Sequence, residues 1–437
     1  MTATRLSLAA ALVFAASLST AASAPRPSTE ATRLARAIDA FAAPLLARDQ
    51  LSGQLLVARH DTVLIERQWG YADWELRAPV TTETRFCIAS VTKPMTGTVA
   101  IHLMETKALG YHDSLAKWLP GFPNGDRITI ADLLGHRSGI PHELIPDSEA
   151  TRPFTPAAMT AIAAHRPLDF PPGSKSQYSS GGFSVLARIL ELASGHSYAQ
   201  LLREQIFEPL GMTHSSDHDS RALLADRAHG VIPGAHGLEN APYEDFSHIV
   251  GAGSVWSTAR DLHRFVQGIV TGRLGAGVER SYLRRGTIDF NGLVSGFRAF
   301  CDFDSASGIE VIYVGNLSSG AADLVRAAIP KLAAGAVVPP PTLPALAAAP
   351  ADSATLAAYR GTYLLENGTR LVVRDRDGVL WSNDWVLLPL ADGGFFSPRD
   401  YGVIHGVMGS DGRIARLDWL QRGTTYPAPR VAETTSR

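Results

Sequence analysis

Ser90-Val91-Thr92-Lys93 sets a hydroxyl and an amine three residues apart. Ser90 reads as a helix start, with the apolar residues Val99 and Leu103 behind it, so both side chains share one face a turn apart. A serine there sits among free backbone N–H groups at the positive end of the helix dipole. Its hydroxyl is a poor nucleophile until a base takes the proton. A lysine supplies that base when burial or nearby positive charge lowers its pKa. Taken alone, the tetrapeptide is commoner as a plain helix start with serine as the N-cap.

The surrounding sequence shifts that balance. Tyr71-Ala72-Asp73, then Thr84-Arg85-Phe86, then Ile88-Ala89-Ser90-Val91-Thr92-Lys93 lead into Asp132-Leu133-Leu134-Gly135-His136-Arg137-Ser138-Gly139. Phe170-Pro171-Pro172-Gly173 and Tyr178-Ser179-Ser180-Gly181-Gly182-Phe183 follow, then Ile206-Phe207-Glu208-Pro209-Leu210-Gly211-Met212 and Ser257-Thr258-Ala259-Arg260-Asp261-Leu262. These ordered blocks, over roughly residues 50–330, resemble the serine beta-lactamase and penicillin-binding-protein superfamily. The likeness is to class C enzymes, D,D-peptidases and above all their esterase relatives.

The resemblance implies that Ser90 attacks an acyl carbonyl, that Lys93 and Tyr178 shuttle protons, and that water releases the acyl-enzyme. Beside a Lys93 ammonium, a phenol of ordinary pKa near 10 would ionise more easily. Whether Lys93 or Tyr178 takes the first proton stays open, and the two can titrate as a coupled unit. The family's Tyr-x-Asn motif has Ser180 in place of asparagine. Its third motif, Lys-Thr-Gly or His-x-Gly, aligns with Phe290-Asn291-Gly292, so Phe290 takes the cationic position. An aromatic ring cannot make the charge-assisted bond that holds a substrate carboxylate. This points away from lactams and D-Ala peptides and toward esters or small amides. The oxyanion hole falls to the backbone N–H groups of Ser90 and Leu293, with Gly292 allowing the strand to approach. Ser180, Phe290, Gly292 and Leu293 are therefore the expected substrate-binding set. D,D-carboxypeptidase, D-aminopeptidase or lactamase activity is the competing enzymatic reading, and an inactive penicillin-binding-like binding protein is the alternative of another class.

The elements that must hold these residues read as α+β. Residues 55–59 and 63–66 form a hairpin about His60-Asp61-Thr62, helices cover 183–194 and 259–271, and strands return at 296–303 and 309–315 before a helix at 321–334. Outer strands sharing one antiparallel sheet, flanked by helices and a helical subdomain, match a beta-lactamase/transpeptidase-like domain. Residues 1–24, with Arg5 ahead of an apolar run and then small residues, read as a signal peptide, which makes the protein exported, periplasmic or secreted. The hydrolase domain then spans 25–336. Residues 337–350 form a Pro/Ala-rich linker of five prolines. Residues 351–437 carry short alternating runs with turns at Asn367-Gly368, Asp377-Gly378 and Asp411-Gly412, as in a small antiparallel barrel or sandwich; a closed, lipocalin-like barrel is the expectation. Trp381, Trp385 and Trp419 read as its core, with a ligand-binding barrel as the sharper alternative.

Composition narrows the partners. Among 437 residues the formal net charge is −2 and no basic run occurs, which argues against nucleic acid. Two cysteines exclude a disulfide framework, and buried free thiols are preferred over a Cys87–Cys301 bridge. His214 and His218 lie in a loop-like stretch and read as solvated rather than metal-binding. His136 reads as fixing a turn. No cofactor and no metal are expected, and the partner is a small acyl substrate. No transmembrane segment is expected in the mature form, and the oligomeric state is left open.

Overall fold

The computed structural model describes residues 29–219 and 221–432; the expected signal peptide lies outside the described residues. The hairpin strands β1 (Gly53–Arg59) and β2 (Thr62–Trp69) share a sheet with β3 (Thr287–Val294), β4 (Phe297–Asp304) and β5 (Ile309–Gly315). The order is β3-β4-β5-β1-β2, antiparallel throughout, with Gly53 opposite Gly315 and Arg59 opposite Ile309. Strands from both ends of the domain thus meet in one sheet, and β3 is its edge.

Side-chain alternation gives this sheet two buried faces. Leu55, Val57, Phe300, Val311 and Tyr313 pack under helices α1 (Thr29–Leu46) and α4 (Ala321–Ala333). Leu56, Ala58, Ala299, Cys301, Ile312 and Val314 face the larger helical core, which includes α2 (Thr92–Glu105) and α3 (Ser180–Ser194). Cys87 and Cys301 are buried free thiols. Helix α3 begins where the Ser179 side chain accepts from Gly182 N–H and ends at Gly195, whose φ of 77° is the left-handed stop glycine adopts readily. Among the described residues, no helix is long and apolar enough to cross a membrane.

Eight antiparallel strands, from Gly361–Leu364 to Thr424–Val431, close a C-terminal barrel around Tyr363, Leu380, Leu387, Phe395, Ile404, Leu417 and Trp419. Trp381 and Trp385 depart from the expected role: both lie outside that core cluster, and Trp385 sits at the barrel rim beside the Asn383-Asp384 turn. The Pro-rich stretch is tied on both sides rather than free. Pro344 O accepts from Arg48 Nη1 at 2.8 Å, while Ala345 O accepts from Ala391 N–H and Ala347 N–H donates to Pro389 O, both at 2.9 Å.

Candidate active site

Two helix starts converge on Ser90. The residue lies in a short 3-10 turn, Ala89–Val91, that runs straight into α2. Ala89 ahead of it holds φ 48°, a left-handed conformation that costs a non-glycine residue free energy and marks a tightly constrained turn. The Ser90 hydroxyl does not cap the helix. Its Oγ lies 3.1 Å from Lys93 Nζ and accepts from Tyr178 OH at 2.7 Å. Two residues one helical turn apart and a tyrosine 88 positions further along the chain therefore meet at one oxygen.

Lys93 is buried, and its Nζ also reaches Ser180 Oγ at 3.2 Å and Ala252 O at 2.9 Å. No carboxylate is among these partners, so desolvation dominates and lowers the amine to about 7. Near neutral pH a large fraction is then the free base. With Tyr178 donating to Oγ, a neutral Lys93 can accept the serine proton, and the three groups form a directional relay.

Tyr178 differs from the expectation. Burial pushes its phenol up, and the hydrogen bond to Ser90 offsets this only in part. The reason is geometric: Lys93 Nζ lies over the face of the Tyr178 ring, not against its oxygen. The hydroxyl thus stays protonated and serves as a donor. The ring is held between two imidazoles, with centroids 4.6 Å away for His136 and 5.3 Å for His142. His136 Nδ1 accepts from Ser179 N–H at 3.2 Å and His142 Nδ1 from Ser180 N–H at 3.1 Å. Both rings are therefore neutral acceptors. Burial and the neighbouring Lys93 lower His136 to about 4, and the same causes lower His142. Sequence reasoning gave His136 only a turn and passed over His142. Two histidines bracketing the short turn 137–141, in a block that precedes Tyr178, were the available signal.

The third motif is split by strand parity. Asn291 and Leu293 line the cleft with Ser90. Gly292 faces the nucleophile's backbone: a Cβ there would lie 2.2 Å from Ile88 O and 3.1 Å from Ser90 N, so only glycine allows this approach. Phe290 does not line the cleft. It shares the inner face of β3 with Ile288 and Gly292 and packs on Tyr282, at 5.5 Å between ring centroids, and on Phe265, at 6.4 Å. The short segment before the motif is occupied by a helix, Ala276–Tyr282, which supplies that aromatic partner. Arg298, buried on β4, fixes the edge strand by bonding Asn291 Oδ1 and Gly292 O and pairing with Asp323.

The cleft encloses about 470 Å³. Its wall combines apolar side chains (Leu144, Ile145, Met159, Leu293, Val294) with Glu143, Asp147 and Glu244. Among the described residues, no Lys or Arg lines it; Lys93 lies beneath Ser90. Burial raises Glu244 to about 7, reinforced by Asp147 and Glu143.

Residues 34–299 match the Beta-lactamase family model, so the chain belongs to that family and has the beta-lactamase fold. Penicillin-binding protein 4* of Bacillus subtilis (strain 168) is 31% identical over 247 residues, 51% of this chain and 53% of that protein. The chain thus spans about half the length of that relative. The D-alanyl-D-alanine-carboxypeptidase/endopeptidase AmpH of Escherichia coli (strain K12) is 31% identical over 274 residues, 60% of this chain and 68% of that protein. The crystal structure of SurE superposes with a TM-score of 0.61 at 22% identity, covering 92% of this chain and 100% of that one. That coverage includes the barrel, so the two-part fold recurs as a unit.

Proposed function

We propose that this protein is an exported serine esterase acting through a Ser90 acyl-enzyme. Ser90 Oγ attacks the ester carbonyl carbon as its proton passes to Lys93 Nζ. The resulting oxyanion is held by the N–H groups of Ser90 and Leu293. Collapse breaks the carbon–oxygen bond to the alcohol, which takes a proton from Tyr178 OH; the tyrosinate regains a proton from solvent at the half-exposed phenol, and the Lys93 ammonium gives up its proton to solvent in exchange. Water then attacks the acyl carbonyl, with Lys93 and Tyr178 acting as before, and the acid leaves with Ser90 regenerated.

The observation that carries the ester preference is the charge around the nucleophile. A D-Ala-D-Ala peptide or a penicillin brings a carboxylate. Here that group would meet Glu143, Asp147 and, once pH exceeds about 7, an ionised Glu244, with no Lys or Arg among the described lining residues to bind it. Like charges in a partly desolvated cleft are repulsive. An uncharged ester avoids that cost.

The same three carboxylates favour a second reading, D-aminopeptidase activity, in which a substrate's free ammonium group sits among them. Turnover of p-nitrophenyl esters, nitrocefin, a D-Ala-D-Ala peptide and a D-alanyl amide by wild type and Ser90→Ala separates the readings. Ester turnover lost in Ser90→Ala is expected. Lactam or D-Ala-D-Ala turnover without ester turnover would reverse the preference. A Ser90 that no fluorophosphonate labels would mean a binding protein.

A further inference from the structure

Trp385 is the part of the catalytic cleft that the hydrolase domain does not supply. It opens the barrel strand Trp385–Pro389, yet it lines the cavity that holds Ser90, Tyr178 and Leu293. It is also braced. The Arg399 guanidinium stacks 4.3 Å from the Trp385 ring centroid, which is cation–π distance.

The barrel is docked, so this wall does not swing freely. Gly320 N–H donates to Pro398 O at 2.9 Å, and a Cβ on Gly320 would lie 2.7 Å from the Asp400 carbonyl carbon. Tyr401 OH donates to Gln50 Oε1 at 2.6 Å, and Arg422 pairs with Asp323 at 3.1 Å. Asp323 also pairs with Arg298, the residue that fixes Asn291 and the Gly292 carbonyl. The barrel and the cleft edge are thus connected through one carboxylate.

We propose that Trp385 is a specificity-determining residue that contacts the substrate and selects esters whose acyl group is aromatic or extended and apolar over acetyl esters. This rests on the esterase reading of Ser90. A rigid indole gives a large apolar contact at little entropic cost, and Leu144, Ile145, Met159 and Val294 continue the apolar lining. Such contact energy is available only to an acyl group long or wide enough to reach the ring. Arg399 acts through Trp385 and is a positioning residue.

The test uses the full chain with a p-nitrophenyl ester series: acetate, butyrate, octanoate and benzoate. Trp385→Ala should raise KM about tenfold or more for octanoate and benzoate while leaving acetate within about twofold. Trp385→Phe should retain most of the preference, and Arg399→Gln should weaken it in the same order. Fluorophosphonate labelling of Ser90 and the melting temperature report whether each variant is folded. If Trp385→Ala does not fold, Trp385→Phe and Arg399→Gln carry the comparison. A proportional change on every ester, or no change on any, overturns the proposal. If wild type hydrolyses no ester but cleaves anilides of the same acids, the esterase reading fails, and the anilide series tests Trp385 in the same way.

Discussion

Lys93 Nζ lies 4.7 Å from the centroid of the Tyr178 ring, over its face, while the Tyr178 hydroxyl turns away toward Ser90. The two proton-carrying groups therefore meet at the serine oxygen rather than at each other. That arrangement divides their roles: a buried amine near neutrality as the base, and a protonated phenol as the donor.

The first consequence is a pH dependence. Lys93 is lowered to about 7, and only its neutral form accepts the serine proton. The rate of ester turnover should rise as pH increases through about 7 and level off above it. Glu244 titrates in the same window. A Glu244→Gln variant should therefore keep the inflection, whereas Lys93→Met should lose about 10²–10⁴-fold in rate. A flat pH–rate profile in both wild type and Glu244→Gln would exclude Lys93 as the base.

Tyr178→Phe removes the donor and leaves the amine. The phenol ring is half exposed, and its hydroxyl lies on the cleft side of Ser90. An alkoxide must be protonated as it leaves, whereas p-nitrophenolate departs without a proton. Ethyl ester turnover should fall about 10²–10⁴-fold in Tyr178→Phe, and p-nitrophenyl ester turnover distinctly less. Equal losses on both esters, measured by acid release, would mean that the tyrosine acts elsewhere in the cycle.

Much of this site was legible in the chain. Ser90 and Lys93 share a helical face by spacing alone, and the ordered blocks located Tyr178. The hairpin at β1 and β2 and helix α3 announced themselves through alternation, turn residues and apolar periodicity. What stayed hidden depends on parity or distance. Phe290 sits on the face of β3 opposite the one that Asn291 presents, and a motif read as a string carries no facing. The direction of the Tyr178 shift turns on where the ammonium lies relative to the ring, which spacing does not determine. Trp385 reaches the cleft only because a second domain docks beside it, and no local pattern reports docking.

The two imidazoles make a further prediction about stability. His136 is lowered from 6.5 to about 4 by burial first and then by the nearby Lys93 charge. The unfolded chain takes up that proton near 6.5. Between the two values the unfolded state binds more protons, so the contribution is intact above 6.5 and is lost as pH falls toward about 4. His142, also lowered, adds in the same direction. In His136→Asn the amide oxygen keeps an acceptor without a titrating group. Its melting temperature should fall less steeply between pH 6.5 and 4 than that of wild type. Identical slopes by calorimetry would remove His136 from the acid sensitivity.

The Pro-rich linker invites removal of the barrel, and read as a sequence it leaves a hydrolase domain with a core of its own. The docked structure changes the expected result. Deleting residues 351–437 would strip Gly320 N–H of its acceptor Pro398 O and Gln50 of its Tyr401 partner, and would expose the part of the α1–α4 layer on which Tyr401 packs. Newly exposed apolar surface costs about 25 cal/mol per Å². The truncated protein should melt at a lower temperature than the full chain. Ser90, Lys93 and Tyr178 lie wholly within the hydrolase domain, so a small fluorophosphonate should still label Ser90. The preference among acyl groups should disappear with Trp385. A truncated protein that melts with the hydrolase domain unchanged and keeps the full-length ester preference would show that the barrel is merely attached.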